Sequence, residues 1–258
     1  MAVFDTYVAK IAEYIEDRRK DKRRVRTFDC PSTVSQLSSN LPVRTGPDAG
    51  SGIILRDDAY VELGNPVAGS CNFLLYTKNP SIINDGRINL IGPDIQEKPG
   101  ESLPFGQVLM FGGKELGEDD QQALEQGQYI SDQVEGYMIR SSAQLIWSRV
   151  SKDAVKRGFC FETLGRILMA ILKSKIPKIQ VMEIVFVTSS KEDLEKLTDI
   201  ASQVKKITKE IQKKKWRIKG VDLDCTLERD CSSCSDKSLC DNIRKVIAIR
   251  KKQAAADV

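Results

Sequence analysis

Four cysteines lie close together near the C-terminal end of the sequence. Cys225, Cys231, Cys234 and Cys240 form the pattern C-x5-C-x2-C-x5-C in a chain of 258 residues that has seven cysteines and no histidine. Thiolates at a C-x2-C step can converge on one metal ion or on one face of an iron-sulfur cluster. The spacing therefore indicates a metal centre held by these four residues.

Three kinds of chemistry remain open for this group. A compact [4Fe-4S] cluster wrapped by one loop suits a single C-x2-C step better than a zinc ribbon, which pairs two such steps across a longer insertion. Zinc is the alternative metal, and free or redox-active thiols are the third possibility. Without histidine, mixed Cys/His zinc sites and Ser-His-Asp or Cys-His nucleophiles are excluded within this chain. The isolated Cys30, Cys71 and Cys160 are interpreted as small, buried apolar residues.

Length and composition define the setting of these thiols. With 41% hydrophobic residues and a net charge of +4, the chain can form one large or two small domains without disulfides. Its first residues lack the pattern of a secretory signal, and no window has the roughly 18 apolar residues of a membrane span. We expect a cytoplasmic protein with no nucleic-acid or membrane partner, in which clustered thiols stay reduced.

The order of the elements predicts an α/β (or α+β) fold, a mixed β-sheet with flanking helices. An amphipathic helix with a solvated basic end, "RRKDKRR", is expected first, followed by an irregular connection rich in Ser, Pro and Gly. Short apolar runs then alternate with helical segments, which is typical of a mixed sheet. Ser151 is a candidate N-cap of a long helix, and Ser190 and Asp193 have capping-box spacing. The predicted parts are 1–40 (helix and connection), 41–220 (α/β domain) and 221–258 (cysteine loop and C-terminal helix).

Several segments of this domain resemble a known family. "DDAYVELGNP", "RINLIGPDIQE", "LPFGQVLMFGG" and "WSRVSKDA" are similar, in matching order, to the middle domain of the acetyl-CoA synthase (beta subunit) of the carbon monoxide dehydrogenase/acetyl-CoA synthase complex. The resemblance spans roughly Leu41 to Cys240. It implies a [4Fe-4S] cluster at the cysteine segment, because in that family the segment after this domain leads into a nickel-iron-sulfur active site.

The cysteine segment also departs from the family's pattern. "CTL" at residues 225–227 resembles the family's Cys-Thr-Leu-Cys step, but Glu228 occupies the fourth place. The family's Cys-Gly-Cys motif, which holds the outer nickel, is not found before Val258. We therefore expect cluster binding without nickel chemistry, and a chain that is not a complete acetyl-CoA synthase on its own.

A basic and aromatic stretch is the second candidate site. In "MIRSSAQLIWSRVSK", Arg140, Arg149 and Lys152 surround Trp147 in sequence. Guanidinium groups suit phosphates and an indole face suits adenine, and in the family that this domain resembles an arginine-rich region near this point is associated with coenzyme A. The alternative is a core tryptophan with surface arginines. Coenzyme A binding by these four residues is the expectation to test.

The function that the resemblance implies, together with the cysteine group, is that of an iron-sulfur protein similar to the acetyl-CoA synthase beta subunit. It would be an accessory, electron-transfer or interaction component of a CO dehydrogenase/acetyl-CoA synthase or corrinoid methyl-transfer system. The expected partners are a corrinoid protein, a methyltransferase or a CO dehydrogenase-type subunit. Two alternatives stay open: a genuine synthase subunit whose nickel site is completed by another chain, and a zinc-stabilised interaction module.

Overall fold

The structure is a computed structural model, and it describes most residues between Phe4 and Lys245. The described residues are 4–31, 33–50, 56–98, 102–127, 130, 132–142, 145–218, 237–243 and 245. The chain divides into two compact units, Met1–Val204 and Lys205–Val258. Both β-sheets belong to the first unit.

The described part of the chain contains six α-helices and eight strands. In order they are α1 (Asp5–Lys20), β1 (Val25–Asp29), α2 (Val34–Leu37), β2 (Tyr60–Leu63), β3 (Ser70–Thr77), β4 (Arg87–Ile91), β5 (Phe105–Gly112), α3 (Glu118–Gly127), β6 (Tyr137–Ser142), β7 (Leu145–Ser151), α4 (Lys152–Lys156), α5 (Phe161–Lys175), β8 (Val181–Val187) and α6 (Lys191–Ile218). Residues 237–243 are also helical.

The larger sheet has five strands in the order β1-β4-β8-β5-β3. It is mixed, because β4–β8 and β3–β5 are parallel whereas β1–β4 and β5–β8 are antiparallel. Every residue of β5 is buried, as is every residue of β8 after Val181. A strand covered on both faces needs apolar residues at consecutive positions, and "FGQVLMFG" and "VMEIVFV" largely supply them.

Aromatic residues fill the core between this sheet and helix α5. The rings of Phe105, Phe161 and Phe186 have centroids 5.0 to 6.1 Å apart, and all three side chains are fully buried. Gly165 lets α5 approach β4 closely, since a Cβ there would lie 2.5 Å from Ile88 Cδ1. Close helix-sheet packing therefore depends on a residue without a side chain at this point.

The smaller sheet is antiparallel, with the order β2-β7-β6. Val61, Val150 and Tyr137 are aligned across its three strands and belong to the same hydrophobic core. The hydroxyl groups of Tyr137 and Ser148 share a hydrogen bond of 2.8 Å on this buried side. Because side chains alternate along a strand, the residues between these positions lie on the opposite face of the sheet.

The expected α/β class with a mixed sheet and flanking helices is confirmed, and the local differences have physical causes. The long helix expected after Ser151 is two helices, since Gly158 has φ of +107° just after α4. Helix α3 ends at Gly127, and strand β6 begins at Tyr137. The domain boundaries at residues 40 and 220 stay predictions, and most of the predicted cysteine loop lies outside the described residues. Across the described part of the chain, no helix is both long and apolar enough to cross a membrane.

The N-terminal helix is anchored by a buried ion pair, which corrects the expectation of a fully solvated basic end. Arg18 is only 4% exposed, and its Nη1 donates to Asp193 Oδ1 at 2.6 Å. The hydroxyl group of Tyr14 donates to the backbone oxygen of Asp193, and Arg23 Nε lies 3.2 Å from Asp193 Oδ2. This N-terminal anchor (Tyr14, Arg18 and Asp193) joins α1 to the first turn of α6. Strand β1, which the sequence analysis did not predict, pairs with β4 at the edge of the larger sheet.

Asp193→Asn is expected to lower the free energy of unfolding by about 3 kcal/mol, because it leaves the buried Arg18 guanidinium without its closest anion. Asp21→Asn is the matched control, since Asp21 pairs with the same guanidinium at 2.9 Å but its side chain is 53% exposed. The control should cost less than about 1 kcal/mol. Urea unfolding measures both values.

The contribution of Asp193 to the free energy of unfolding should depend on pH. Burial alone would raise the pKa of Asp193, but hydrogen bonds from Ser189 and Arg18 and the nearby guanidinium groups outweigh it and lower the pKa. A carboxyl group with a lowered pKa contributes stability that is present above its unfolded pKa of about 3.9 and is lost as the pH falls through its folded pKa. The stability gap between the unaltered chain and Asp193→Asn should therefore shrink below about pH 4. A gap that stays constant on acidification would contradict this account.

Candidate functional site

Three of the four residues of the basic stretch lie on one face of the smaller sheet. Arg140 on β6 is directly opposite Trp147 on β7 in the strand register. Arg149, two residues after Trp147, lies on the same face. Lys152 is the first residue of α4, immediately after β7, and is half-buried. We call Arg140, Trp147, Arg149 and Lys152 the basic face.

Two of the sequence motifs that carried the family resemblance meet on this face. Strand β2 contains the start of "ELGNP", and strand β7 contains all of "WSRVS". The antiparallel register places Glu62 directly opposite Arg149. Glu62 and Arg149 are 87 positions apart in the chain, and their pairing brings the two motifs into one local structure.

Arg149 is held by an ion pair with Glu62. Its Nε and Nη2 donate to Glu62 Oε1 at 3.0 and 2.7 Å, and its guanidinium carbon lies 4.1 Å from the centroid of the Tyr60 ring. The side chains are 15% exposed for Arg149 and 19% for Glu62. A charge-assisted pair at this burial, with a cation-π contact on one side, is stronger than a surface salt bridge.

Further donors keep Glu62 ionised. Burial alone would raise the pKa of Glu62, but hydrogen bonds from Asn65 and Arg149 outweigh it, so that the pKa is lowered. Asn65 Nδ2 donates to Glu62 Oε2 at 2.8 Å. The Trp147 indole N–H also contributes to lowering this pKa, although it is buried and has no acceptor at hydrogen-bond geometry. The carboxylate is therefore surrounded by donors on both oxygens.

The turn after β2 positions Asn65. Gly64 has φ of +75°, and a Cβ there would lie 2.7 Å from Ser70 Cβ, so only glycine fits without a shift. Asn65 Oδ1 accepts hydrogen bonds from the backbone N–H groups of Val67 and Ala68. This turn fixes the Asn65 side chain so that its Nδ2 reaches Glu62.

The other two cations of the basic face are free of ion pairs with any described residue. Arg140 is exposed, and Lys152 is half-buried at the beginning of α4. By contrast, Lys156 on the same short helix lies 3.6 Å from Asp153. Among the residues that the structure describes, Arg140 and Lys152 therefore have no ion pair that an incoming anion would first have to break.

The "IGPD" motif has a structural role instead. Asp94 is 7% exposed, and its Oδ1 accepts from the backbone N–H groups of Ile95 at 2.7 Å and Phe161 at 3.1 Å. It forms a capping box with Glu97 and satisfies the first N–H group of α5. This motif therefore positions a core helix.

Of the four clustered cysteines, the structure describes one. Cys240 is a half-buried free thiol in the helical segment 237–243. Cys225, Cys231 and Cys234 lie outside the described residues, so their ligation of a metal stays a prediction. Within the described ranges, no group of three potential metal ligands is found.

The isolated cysteines are free thiols among the described residues. Cys71 is 8% exposed, whereas Cys30 and Cys160 are only half-buried. Burial, the largest effect, raises the pKa of Cys30 to about 11, and burial also raises the pKa of Cys71. A raised pKa keeps a thiol protonated and poorly nucleophilic at neutral pH, which suits a packing role.

Comparison with known proteins gives the family. The model of the CO dehydrogenase/acetyl-CoA synthase complex beta subunit family matches residues 41–193. This chain belongs to that family. The resemblance inferred from the sequence motifs is thereby confirmed, and the match includes the whole basic face and Glu62. The cysteine segment at 225–240 and the α1–β1 segment lie outside the matched residues.

The individual relatives are all longer proteins. The chain is 35% identical over 150 residues to the carbon monoxide dehydrogenase/acetyl-CoA synthase subunit alpha of Moorella thermoacetica, covering 57% of this chain and 20% of the relative. It is 31% identical to the acetyl-CoA decarbonylase/synthase complex subunit beta of Methanopyrus kandleri, covering 65% and 36%. It is 26% identical to subunit beta 1 of Methanosarcina thermophila, covering 72% and 39%. The chain thus matches between a fifth and two fifths of the length of these relatives.

The inferences from the sequence located the basic face but missed the residues that hold it. Glu62, Asn65 and Tyr60 were not proposed as site residues. The signal was present, because "ELG-x-P" was among the resemblance motifs, but the pairing of β2 with β7 is a long-range contact that sequence spacing does not reveal.

A double-mutant cycle should show that Glu62 and Arg149 are coupled. Replacing each by alanine, singly and together, is expected to give a coupling free energy of about 1–2 kcal/mol, because both groups are mostly buried. The control cycle uses Glu135 and Arg157, whose ion pair is 3.1 Å long but whose Arg157 side chain is 47% exposed. Coupling there should be below about 1 kcal/mol. Equal coupling in both cycles would contradict the special position of the Glu62–Arg149 pair.

Proposed function

We propose that this chain is an iron-sulfur component, similar to the acetyl-CoA synthase beta subunit, of a CO dehydrogenase/acetyl-CoA synthase or corrinoid methyl-transfer system. The observation that carries the proposal is the family match over residues 41–193. Its role is accessory, in electron transfer or interaction, with a corrinoid protein, a methyltransferase or a CO dehydrogenase-type subunit as partner. We place it in the cytoplasm, where clustered thiols stay reduced.

Coenzyme A is the ligand proposed for the basic face. Arg140 and Lys152 supply positive charge for its phosphates, and the half-buried Trp147 ring, directly opposite Arg140, supplies a surface for adenine stacking. Arg149 differs from these two cations because Glu62 already neutralises it. The initial contact with phosphate is therefore assigned to Arg140 and Lys152.

Arg140→Ala is expected to weaken coenzyme A binding by about tenfold, since it removes a charge-assisted contact worth about 1.4 kcal/mol. Lys152→Ala should have a smaller effect in the same direction. Lys156→Ala is the matched control, because it removes the same charge from α4 at an exposed position paired with Asp153. Isothermal titration calorimetry measures all three. Equal affinities for Arg140→Ala and Lys156→Ala would refute the assignment.

A [4Fe-4S] cluster is the cofactor proposed for the four clustered cysteines. Cys225, Cys231, Cys234 and Cys240 provide four thiolates, the donor set that both iron-sulfur clusters and zinc accept. The half-buried position of Cys240 gives its thiolate partial shelter from solvent. When bound, such a cluster would supply one-electron transfer. The helix that carries Cys240 would fix the last of the four donors.

Anaerobically purified protein is expected to contain four irons and four sulfides per chain, with broad absorption at about 400 nm. Cys234→Ser should abolish this absorption. Cys160→Ser is the control, because Cys160 lies at the N-cap position of α5, where serine is well tolerated. Stoichiometric zinc without iron would instead favour the interaction module. Nickel retained only with a second chain would favour the genuine synthase subunit.

A further inference from the structure

An anion that binds Arg149 must compete with Glu62 for its guanidinium group. Its Nε and Nη2 are both used by Glu62 Oε1, and the Tyr60 ring covers one side of the guanidinium. Only 15% of its side chain is exposed. A phosphate group that binds at Arg140 therefore lies on the same face of the smaller sheet as Arg149, a cation that Glu62 already neutralises.

Glu62 can lose Arg149 without losing all its hydrogen bonds. Asn65 Nδ2 remains on Oε2, at 2.8 Å, and is itself fixed by the turn that follows β2. Trp147 offers a second donor, because it lies on the same face as Glu62, two residues before Arg149 on β7, and its buried indole N–H has no acceptor at hydrogen-bond geometry. A buried N–H without an acceptor costs free energy, so an arrangement in which it donates to Glu62 compensates for part of the lost ion pair.

We propose that Arg149, Glu62 and Trp147 form an exchange latch, in which a phosphate group takes the Arg149 guanidinium and the Trp147 indole N–H replaces it on Glu62. No proton moves in this exchange. Glu62 stays ionised, Arg149 stays charged, and only hydrogen-bond partners change. The inference rests on the proposed binding of coenzyme A phosphates to this face and assigns to Glu62 the role of a competing anion that sets their affinity.

The latch has two measurable consequences, one for the affinity for phosphate and one for the indole of Trp147. Because Glu62 occupies Arg149 in the absence of ligand, the apparent affinity for phosphate is reduced by the fraction of time that Arg149 is paired. Removing the charge of Glu62 while keeping its shape should therefore strengthen phosphate binding. The exchange also changes the hydrogen bonding of one indole, which a purely structural Glu62–Arg149 pair would not do.

The experiment uses the full chain with Trp216→Phe, so that Trp147 is the remaining tryptophan. Inorganic pyrophosphate is the first probe, because it carries phosphate charge without a base that could stack on the indole. Adenosine 3′,5′-bisphosphate, the nucleotide part of coenzyme A, is the second. Affinity and Trp147 emission are measured for the chain with Glu62 and for Glu62→Gln. Glu135→Gln is the matched control, since Glu135 also binds arginines, Arg44 and Arg157, but lies in none of the three strands of the smaller sheet.

The expected result is a shift of Trp147 emission on adding pyrophosphate to the chain with Glu62, and about tenfold tighter binding of both probes to Glu62→Gln. Glu135→Gln should leave affinity unchanged. If Arg140→Ala weakens binding of the bisphosphate but Trp147 does not respond to pyrophosphate, the coenzyme A proposal stands and the latch is wrong. Unchanged or weaker binding to Glu62→Gln also overturns the latch. Absence of binding to every variant overturns both proposals. The emission test needs no change at Glu62, so it decides even if Glu62→Gln fails to fold.

Discussion

The constraint that organises the fold is the burial of two neighbouring strands, β5 and β8, on both faces. Such strands can exist only when each face of the sheet is covered. Helix α5 and the smaller sheet cover one face through the phenylalanine cluster and Val61, Val150 and Tyr137. On the other face, Leu194 and Leu197 of α6 lie within 3 Å of the position that a Cβ on Gly106 would take. The positions of the smaller sheet, and of the site it carries, follow from this need for cover.

The smaller sheet serves two purposes with its two faces. The buried side contributes to the common core, whereas the other side carries charges whose partners come from a neighbouring strand. Because register in a β-sheet fixes which side chains face each other, the pairing of Glu62 with Arg149 follows directly from the alignment of β2 with β7. A slip of one residue in either strand would turn the charge on that strand towards the core. The ion pair and the apolar pattern thus favour the same register.

Sequence reasoning predicted the fold class well because the buried strands have unambiguous composition. The apolar, β-branched and aromatic residues of "FGQVLMFG" and "VMEIVFV" are typical of buried strands. Ser151 also caps α4 as expected, because its hydroxyl accepts a hydrogen bond from the N–H of Asp153. The sequence failed where tertiary contacts override local pattern. "VRTFD" becomes strand β1 because β4 offers an open edge, and Arg18 is buried because Asp193 meets it from 175 positions away. The basic face was found from its own residues, but its counter-charge was not, since that charge arrives from another strand. The cysteine ligands outside the described residues remain a prediction from spacing.

The N-terminal anchor joins the segment that the family model matches to residues that precede this segment in the chain. The segment recognised as belonging to the family ends at Asp193, and the residue that neutralises Asp193 lies at position 18, before that segment begins. Strand β4, which is inside it, is shielded along one edge by β1, which is not. A fragment limited to residues 41–193 would carry a carboxylate stripped of its buried counter-ion and an open strand edge able to pair with other chains. In this protein the segment that the family model matches therefore lacks two supports of its own core, and the first forty residues supply both of them.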